Sequence, residues 1–448
     1  AAGTILTMQG TATYTFNNTA DFTGTGGTLA LTGSTTGLQI TNGLTLDAGL
    51  TLMQTSGTIN VVAGTFQVDG AHDWSAGTLT GAGTHSYQAG SALNLLSSST
   101  KIIDATDLTI NGGAMTYGTG VSGLRLDNTA TLNVTNGGIL ALQGNGTITD
   151  GGTGLNQLFV TGTGSLIRDT DAGTTSIDVS VGFTGTIDVQ TGSLRLLGGG
   201  SLGSNLDIAA GAEIELNNSV FTVDANVTVS GGGMLTVVGS GTDVNIGTGI
   251  ILTIAADSDL QFSSGDILGT GSLDVAGDMI WDAGTIFAPV DIQAGATLTT
   301  GTTGVKTMDS GVLDVTGAMT MNSSGSITMQ NGAAVNIYAG GSIDLTSTAG
   351  FTAGTAPGIM NIAAGGTLTK SVSGSADIDL DITNNGDIHV QAGTLRIDAS
   401  TLTNNANIII DDGATLSISN GSLINTGTIE GDGSIVLSGT GTLTNDGT

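Results

Sequence analysis

The chain contains no cysteine. Disulfides, thiolate metal sites and a cysteine nucleophile are therefore excluded. Only two of its 448 residues are proline, and aromatics make up 3%. Lys and Arg together number 7 against 37 Asp and Glu, a formal net charge of −30. Such a surface repels nucleic acid and anionic lipid headgroups, so no nucleic-acid partner is expected. Loosely bound Ca2+ is compatible with it; no dedicated cofactor is expected. The acids are nearly all Asp, with Glu confined to Glu213, Glu215 and Glu430. Asp suits turns, because its short side chain bonds its own backbone. Glu, Lys and Arg, the residues of helix surfaces, are all scarce. No run of about 18 apolar residues is present, so no helix is expected to span a membrane.

Glycine is abundant, at 76 residues, and 38% of the chain is hydrophobic. That combination calls first for a search for internal repeats. Ile382-Thr383-Asn384, Leu402-Thr403-Asn404, Leu423-Ile424-Asn425 and Leu443-Thr444-Asn445 recur at spacings of 20, 21 and 20. A second phase runs beside the first. Gly393-Thr394-Leu395-Arg396-Ile397, Gly413-Ala414-Thr415-Leu416-Ser417-Ile418 and Gly433-Ser434-Ile435-Val436-Leu437 are 20 and 20 apart. Looser copies stand upstream, among them Val189-Gln190-Thr191-Gly192-Ser193-Leu194-Arg195-Leu196 and Ile208-Ala209-Ala210-Gly211-Ala212-Glu213-Ile214-Glu215-Leu216.

Each copy reads as a short strand, a glycine turn and another short strand. Apolar residues alternate with polar ones, the period of a half-buried strand. Leu194 and Leu196 are expected to face in and Arg195 out. Such a unit cannot bury its apolar face alone; stacked units bury a continuous core and pair each strand with the coils on either side. The expected fold is therefore all-β, a parallel β-helix (β-solenoid) of about 20 residues per coil. Roughly 22 coils at the strand spacing of about 4.8 Å would make a rod of roughly 105 Å. The expected organisation is one continuous solenoid over residues 1–448, with 1–30 as an N-terminal cap or docking segment and 382–448 as the most regular coils. Asn384, Asn404, Asn425 and Asn445 fall at one place in successive coils, where stacked amides can bond one another as a structural ladder.

At this point the chain resembles the large secreted β-helix surface proteins of bacteria, the autotransporter-passenger and filamentous-haemagglutinin-like repeats. The resemblance rests on coils such as Asn425-Thr426-Gly427-Thr428-Ile429 and Gln293-Ala294-Gly295-Ala296-Thr297-Leu298. It rests also on the block Trp74-Ser75-Ala76-Gly77-Thr78-Leu79-Thr80-Gly81-Ala82-Gly83, whose first half recurs at Trp281-Asp282-Ala283-Gly284-Thr285-Ile286. It implies the architecture, a right-handed coil and an exported, extracellular or cell-surface location; it carries no catalytic residues across. The opening Ala1-Ala2-Gly3 fits the mature end left by signal-peptide cleavage. No aromatic follows Phe351. A complete autotransporter, which ends in an aromatic-girdled membrane barrel, is therefore not expected.

Few residues suggest chemistry. His72, Trp74 and Tyr87 form a local cluster for which packing and coil-defining roles are the expected reading; a glycan contact is the alternative, and a cell-surface glycan or matrix is the partner it would imply. His389 alternates between Ile388 and Val390 and is expected to point outward. Asp411-Asp412 sits before Gly413 in a repeat turn, where Asp is expected without any acid–base role. Gly239-Ser240-Gly241-Thr242-Asp243-Val244-Asn245 departs from a Ca2+-binding nonapeptide coil at Asn245, where an apolar residue is needed. No catalytic residue is assigned and the chain is not expected to be an enzyme; a β-helix polysaccharide-active enzyme is the remote alternative. The leading expectation is an extracellular structural protein whose subunits associate head to tail, docking through Tyr14, Phe16, Phe22 and Leu443. An adhesive or display stalk is the alternative.

Overall fold

In the computed structural model the structure describes residues 3–121, 123–301 and 303–448. Ala1 and Ala2 of the expected N-terminal segment lie outside the described residues. The described chain is all-β, with sixty-one strands, most of four residues, and no helix. It is a parallel β-solenoid of about 20 turns with about 22 residues per coil. Two compact units divide it: residues up to Phe221 with Gly231–Gly233, and Thr222–Ser230 with Met234–Thr448.

Within each unit a coil contributes one strand to each of three faces. In the first unit Ala71–Trp74 pairs in parallel with Gly49–Gln54 on one side and Ala92–Leu95 on the other. Gly77–Thr80 and Thr84–Tyr87 do the same on the second and third faces. In the second unit the pattern repeats with Asp381–Asn384, Asp387–Val390 and Thr394–Asp398. The 20-residue period read from the sequence is that of the last coils, where Ile382 pairs with Leu402. Elsewhere longer corners stretch the coil, so that Ile139 pairs with Ser165, and this lowers the number of turns below the expected 22.

Alternation decides which side chains go inside. Leu194 and Leu196 are buried, while Arg195 between them is exposed enough to reach Glu215 of the next coil at 2.8 Å. Leu395, Ile397, Leu416 and Ile418 are all fully buried and stack in register, Leu395 on Leu416 and Ile397 on Ile418. The next members, Ile435 and Leu437, keep the inward phase and pair with Leu416 and Ile418. Leu437 is nonetheless 44% exposed, because no described coil lies beyond it. The corners need glycine where coils touch. Gly393 sits at φ +70°, and a Cβ there would meet the Gly374 carbonyl oxygen at 2.3 Å. That oxygen accepts the Thr394 N–H, so a side chain at 393 would break the ladder at its corner.

Burying a Leu is worth about 1.5–3 kcal/mol, and removing it from a packed stack adds the cost of the void. Leu416→Ala is expected to cost about 2–5 kcal/mol. Leu416→Asp, which buries an unpaired charge, is expected to cost more. Denaturant midpoints measure both, and a wild-type midpoint for Leu416→Asp would contradict the inward assignment.

Candidate functional site

The four repeated asparagines end strands of the first face and turn into the corner that follows. Asn384, Asn404 and Asn425 are fully buried. Asn384 Nδ2 donates to Asn404 Oδ1 at 2.7 Å, Asn404 to Asn425 at 2.6 Å, and Asn425 to Asn445 at 2.6 Å. The remaining amide capacity goes to the turn. Asn384 Oδ1 accepts the Gly386 N–H at 3.1 Å, and Asn384 Nδ2 also donates to the Asn407 carbonyl at 3.0 Å. Each amide thus extends the backbone ladder into the interior and closes the corner at the same time. Asn404→Ala is expected to cost about 1–3 kcal/mol, because it leaves buried partners unmade. Thr403→Ala, on the outward side of the same strand, is expected to change the midpoint much less; equal effects would remove the ladder's special role.

His72, Trp74 and Tyr87 do not form a surface site. All three are fully buried, so the glycan contact considered for them has no face to act through. The alternation that makes Leu52 and Leu93 inward fixes His72 between them. Tyr87 Oη lies 2.6 Å from His72 Nδ1, and Gln54 Oε1 lies 3.2 Å from His72 Nε2. The rings of His72 and Tyr87 stack at 6.0 Å, and His72 stacks on Trp74 at 6.0 Å. Burial pushes the His72 imidazole down to about 3, with His85 adding to the fall, and burial holds His85 at about 4.

Tyr14, Phe16 and Phe22 stand on the first coil, half-buried, with Phe16 and Phe22 in edge contact at 5.4 Å. Leu443, on the last coil, is 42% exposed. His389 lies outward and bonds Asp411 Oδ1 at 2.9 Å. Asp411 is thereby engaged by a hydrogen bond, and Asp412 is exposed.

Four of the seven basic residues turn inward, which a count of charges does not reveal. Arg168, Lys101, Lys306 and Lys370 are each fully buried as residues. Arg168 donates to the carbonyls of Gly144 at 2.9 Å, Asp171 at 2.9 Å and Gly173 at 2.6 Å, and to Thr175 Oγ1 at 2.5 Å. Lys101 Nζ gathers the carbonyls of Ser97 at 2.7 Å and Ser99 at 2.9 Å, and burial pushes its amine down to about 8. Lys370 bonds the Val372 carbonyl. These cations gather corner carbonyls that point inward where a coil's loop departs from the ladder. The signal in the sequence is their phase: Arg168 ends Ser165-Leu166-Ile167-Arg168 at an inward position. Arg168→Met, which removes a buried charged donor shared by three carbonyls and the Thr175 hydroxyl, is expected to cost more than about 2 kcal/mol. Arg195→Met, which removes a surface pair, is expected to cost about 0–1 kcal/mol. Chemical unfolding of both variants checks the contrast, and equal losses would contradict it.

The outer faces carry stacked acids. Asp274, Asp291 and Asp314 are successive register partners on the first face. Burial raises the Asp291 carboxyl, and Asp274 and Asp314 raise it further. At a third-to-first-face corner Asp379, Asp381, Asp398 and Ser400 line an open cleft of about 380 Å3. The Asp379 carboxyl is raised by burial, then by Asp377 and Asp398. Among the described residues no group of three or more His, Asp or Glu side chains converges as a metal site. In the segment weighed as a Ca2+ coil, Asn245 points outward between buried Val244 and Ile246.

No protein-family model matches the chain, and no curated protein matches it. Among solved structures it is similar to a tailspike protein double mutant of E. coli bacteriophage HK620 in complex with pentasaccharide. That match has 10% identity over 93% of this chain and 74% of the tailspike chain, at a TM-score of 0.18. A match at that score carries no argument about this chain.

Proposed function

We propose that the chain is a structural solenoid without catalytic function, exported to the cell exterior like the bacterial β-helix surface proteins it resembles, and that its coils build a filament by stacking copies end to end. The observation that carries the reading is how the interior is used. Apolar columns, an amide ladder and buried cations all serve the contact between one coil and the next. Side chains spent in this way stiffen a stack of coils.

The coils at either edge of the described residues support stacking between copies. Among the described residues the strands Ser434–Ser438 and Thr442–Asn445 pair on one side. So do Ile5–Met8 and Thr13–Phe16. Unpaired strand edges take up further strands readily. The inward phase carries through both. Leu6 and Met8 head the column of Leu29 and Leu31, and Leu443 and Asn445 end the column of Leu423 and Asn425. Ile5 and Leu6 are 60% and 55% exposed, and Leu437 and Leu443 are 44% and 42% exposed. A second copy stacked in phase would set Leu443 over Leu6 and cover both. Contact between two different ends is heterologous and propagates into an open filament.

A display stalk is the second reading, supported by the same coil stack without the end contact. Light scattering and electron microscopy of the purified chain separate the two. Filaments that grow with concentration, and that are lost when residues 423–448 are removed, are expected. A strictly monomeric chain at high concentration would defeat the filament and leave the stalk.

A further inference from the structure

The coils around His72 and His85 contain two imidazoles in an interior that holds no carboxylate for them. His72 is inward on Ala71–Trp74 and His85 inward on Thr84–Tyr87, and both are fully buried. Their hydrogen bonds use the neutral rings. Gln54 Nε2 donates to the Gly57 carbonyl at 3.2 Å, which leaves Gln54 Oε1 to accept from His72 Nε2–H at 3.2 Å. His72 Nδ1 is then the acceptor for the Tyr87 hydroxyl at 2.6 Å. His85 Nε2 donates to the Thr80 carbonyl at 3.3 Å, and His85 Nδ1 is buried with no partner. A proton on either Nδ1 therefore creates a buried donor in the wrong place. At His72 it reverses the bond to Tyr87, and at His85 it meets nothing.

The surroundings offer no counter-charge. Inward from Gly49–Gln54 come Leu52 and Gln54; from Thr58–Val61, Ile59 and Val61; and from Thr65–Val68, Phe66 and Val68. Gly77–Thr80 contributes Leu79, Ala92–Leu95 contributes Leu93 and Leu95, and Asp107–Asn111 contributes Leu108 and Ile110. The one inward charge among these strands and their neighbour Lys101–Asp104 is the Lys101 ammonium, held by Ser97 and Ser99. It has the same sign as an imidazolium. Asp73 lies on the outer side of its strand, bonded to Asn94 at 2.8 Å, and Asp69 bonds Gln67 at 2.9 Å. Asp104 accepts from Thr80 at 3.5 Å and from Asn128 at 2.6 Å, and Asp107 bonds Thr131; both stand on the outer side.

We infer that His72 and His85 form an acid-operated release within the first unit: protonating them opens the coils between residues 49 and 111 before the coils of the second unit lose their pairing. The direction follows from linkage. Both imidazoles hold their proton more weakly in the closed coils, at about 3 and 4, than the ordinary value of 6.5. The opened coils therefore bind more protons below pH 6.5. The stability these neutral rings allow is complete above that pH and is lost as the pH falls toward 4. An interior apolar residue in place of either imidazole would carry no such dependence.

Hydrogen exchange read by mass spectrometry at pH 7.5, 5.5 and 4.0, corrected for intrinsic exchange, tests the inference on the full chain. The opening constant of peptides within 65–95 is expected to rise below pH 6.5 by up to about tenfold per pH unit for each histidine that titrates. Peptides within 394–418 are expected to stay protected over the same range. His85→Leu and the double variant His72→Phe, Tyr87→Phe are each expected to flatten the slope by up to one proton, whatever protection each retains at pH 7.5. A wild-type slope unchanged in both variants would overturn the inference. So would acid opening spread evenly over the two units in the wild-type chain, a result that does not depend on either variant folding.

Discussion

The structure depends on the parallel backbone ladder between one coil and the next. A four-residue strand forms too few hydrogen bonds and buries too little surface to persist alone. Paired on both sides, it becomes part of a sheet that runs through its unit, and the same stacking covers the apolar residue above and below. Sequence period, core and hydrogen bonding are therefore one constraint. A residue change is tolerated when it keeps inward and outward phase and is damaging when it alters what one coil presents to the next.

This constraint explains why polar and charged residues enter the interior. Corners carry the turns, and turn carbonyls that face the interior have lone pairs beyond those the neighbouring strand uses. Buried carbonyls require donors. The molecule supplies them in three ways: an amide ladder at Asn384, Asn404 and Asn425, the guanidinium of Arg168, and the ammonium groups of Lys101 and Lys370. The His72 cluster uses the same device with Gln54 as the link to a corner carbonyl. What differs is that imidazole titrates in mildly acidic solution and an amide does not.

The fold was legible in the sequence because its signal is periodic. The Leu395, Leu416 and Ile435 column could be read directly, as could the Asn column. The coil length was read short, because the clearest copies are also the tightest. The longer corners of the coil that runs from Ile139 to Ser165, such as residues 151–156, carry no motif. For the cluster of His72, Trp74 and Tyr87 the packing role agrees with the burial, and the glycan alternative fails for a physical reason. Histidine and tryptophan suggest a surface contact by composition, yet their alternation with Ala71 and Asp73 already put them in the inward phase. The buried cations were hidden in the same way, since charge was counted without regard to phase.

The absence of cysteine makes the ladder open to a direct test. Thr383 and Thr403 are outward register partners on adjacent coils, and Ile424 is the partner of Thr403 one coil further on. Neighbouring strands lie about 4.8 Å apart, within the reach of a disulfide, and strands two coils apart do not. The measurement is oxidative cross-linking of two double variants. Thr383→Cys with Thr403→Cys is predicted to close quickly and completely, and Thr383→Cys with Ile424→Cys to remain reduced within the chain. Equal cross-linking of both pairs, or closure of the second pair alone, would contradict the coil stack on which the account rests.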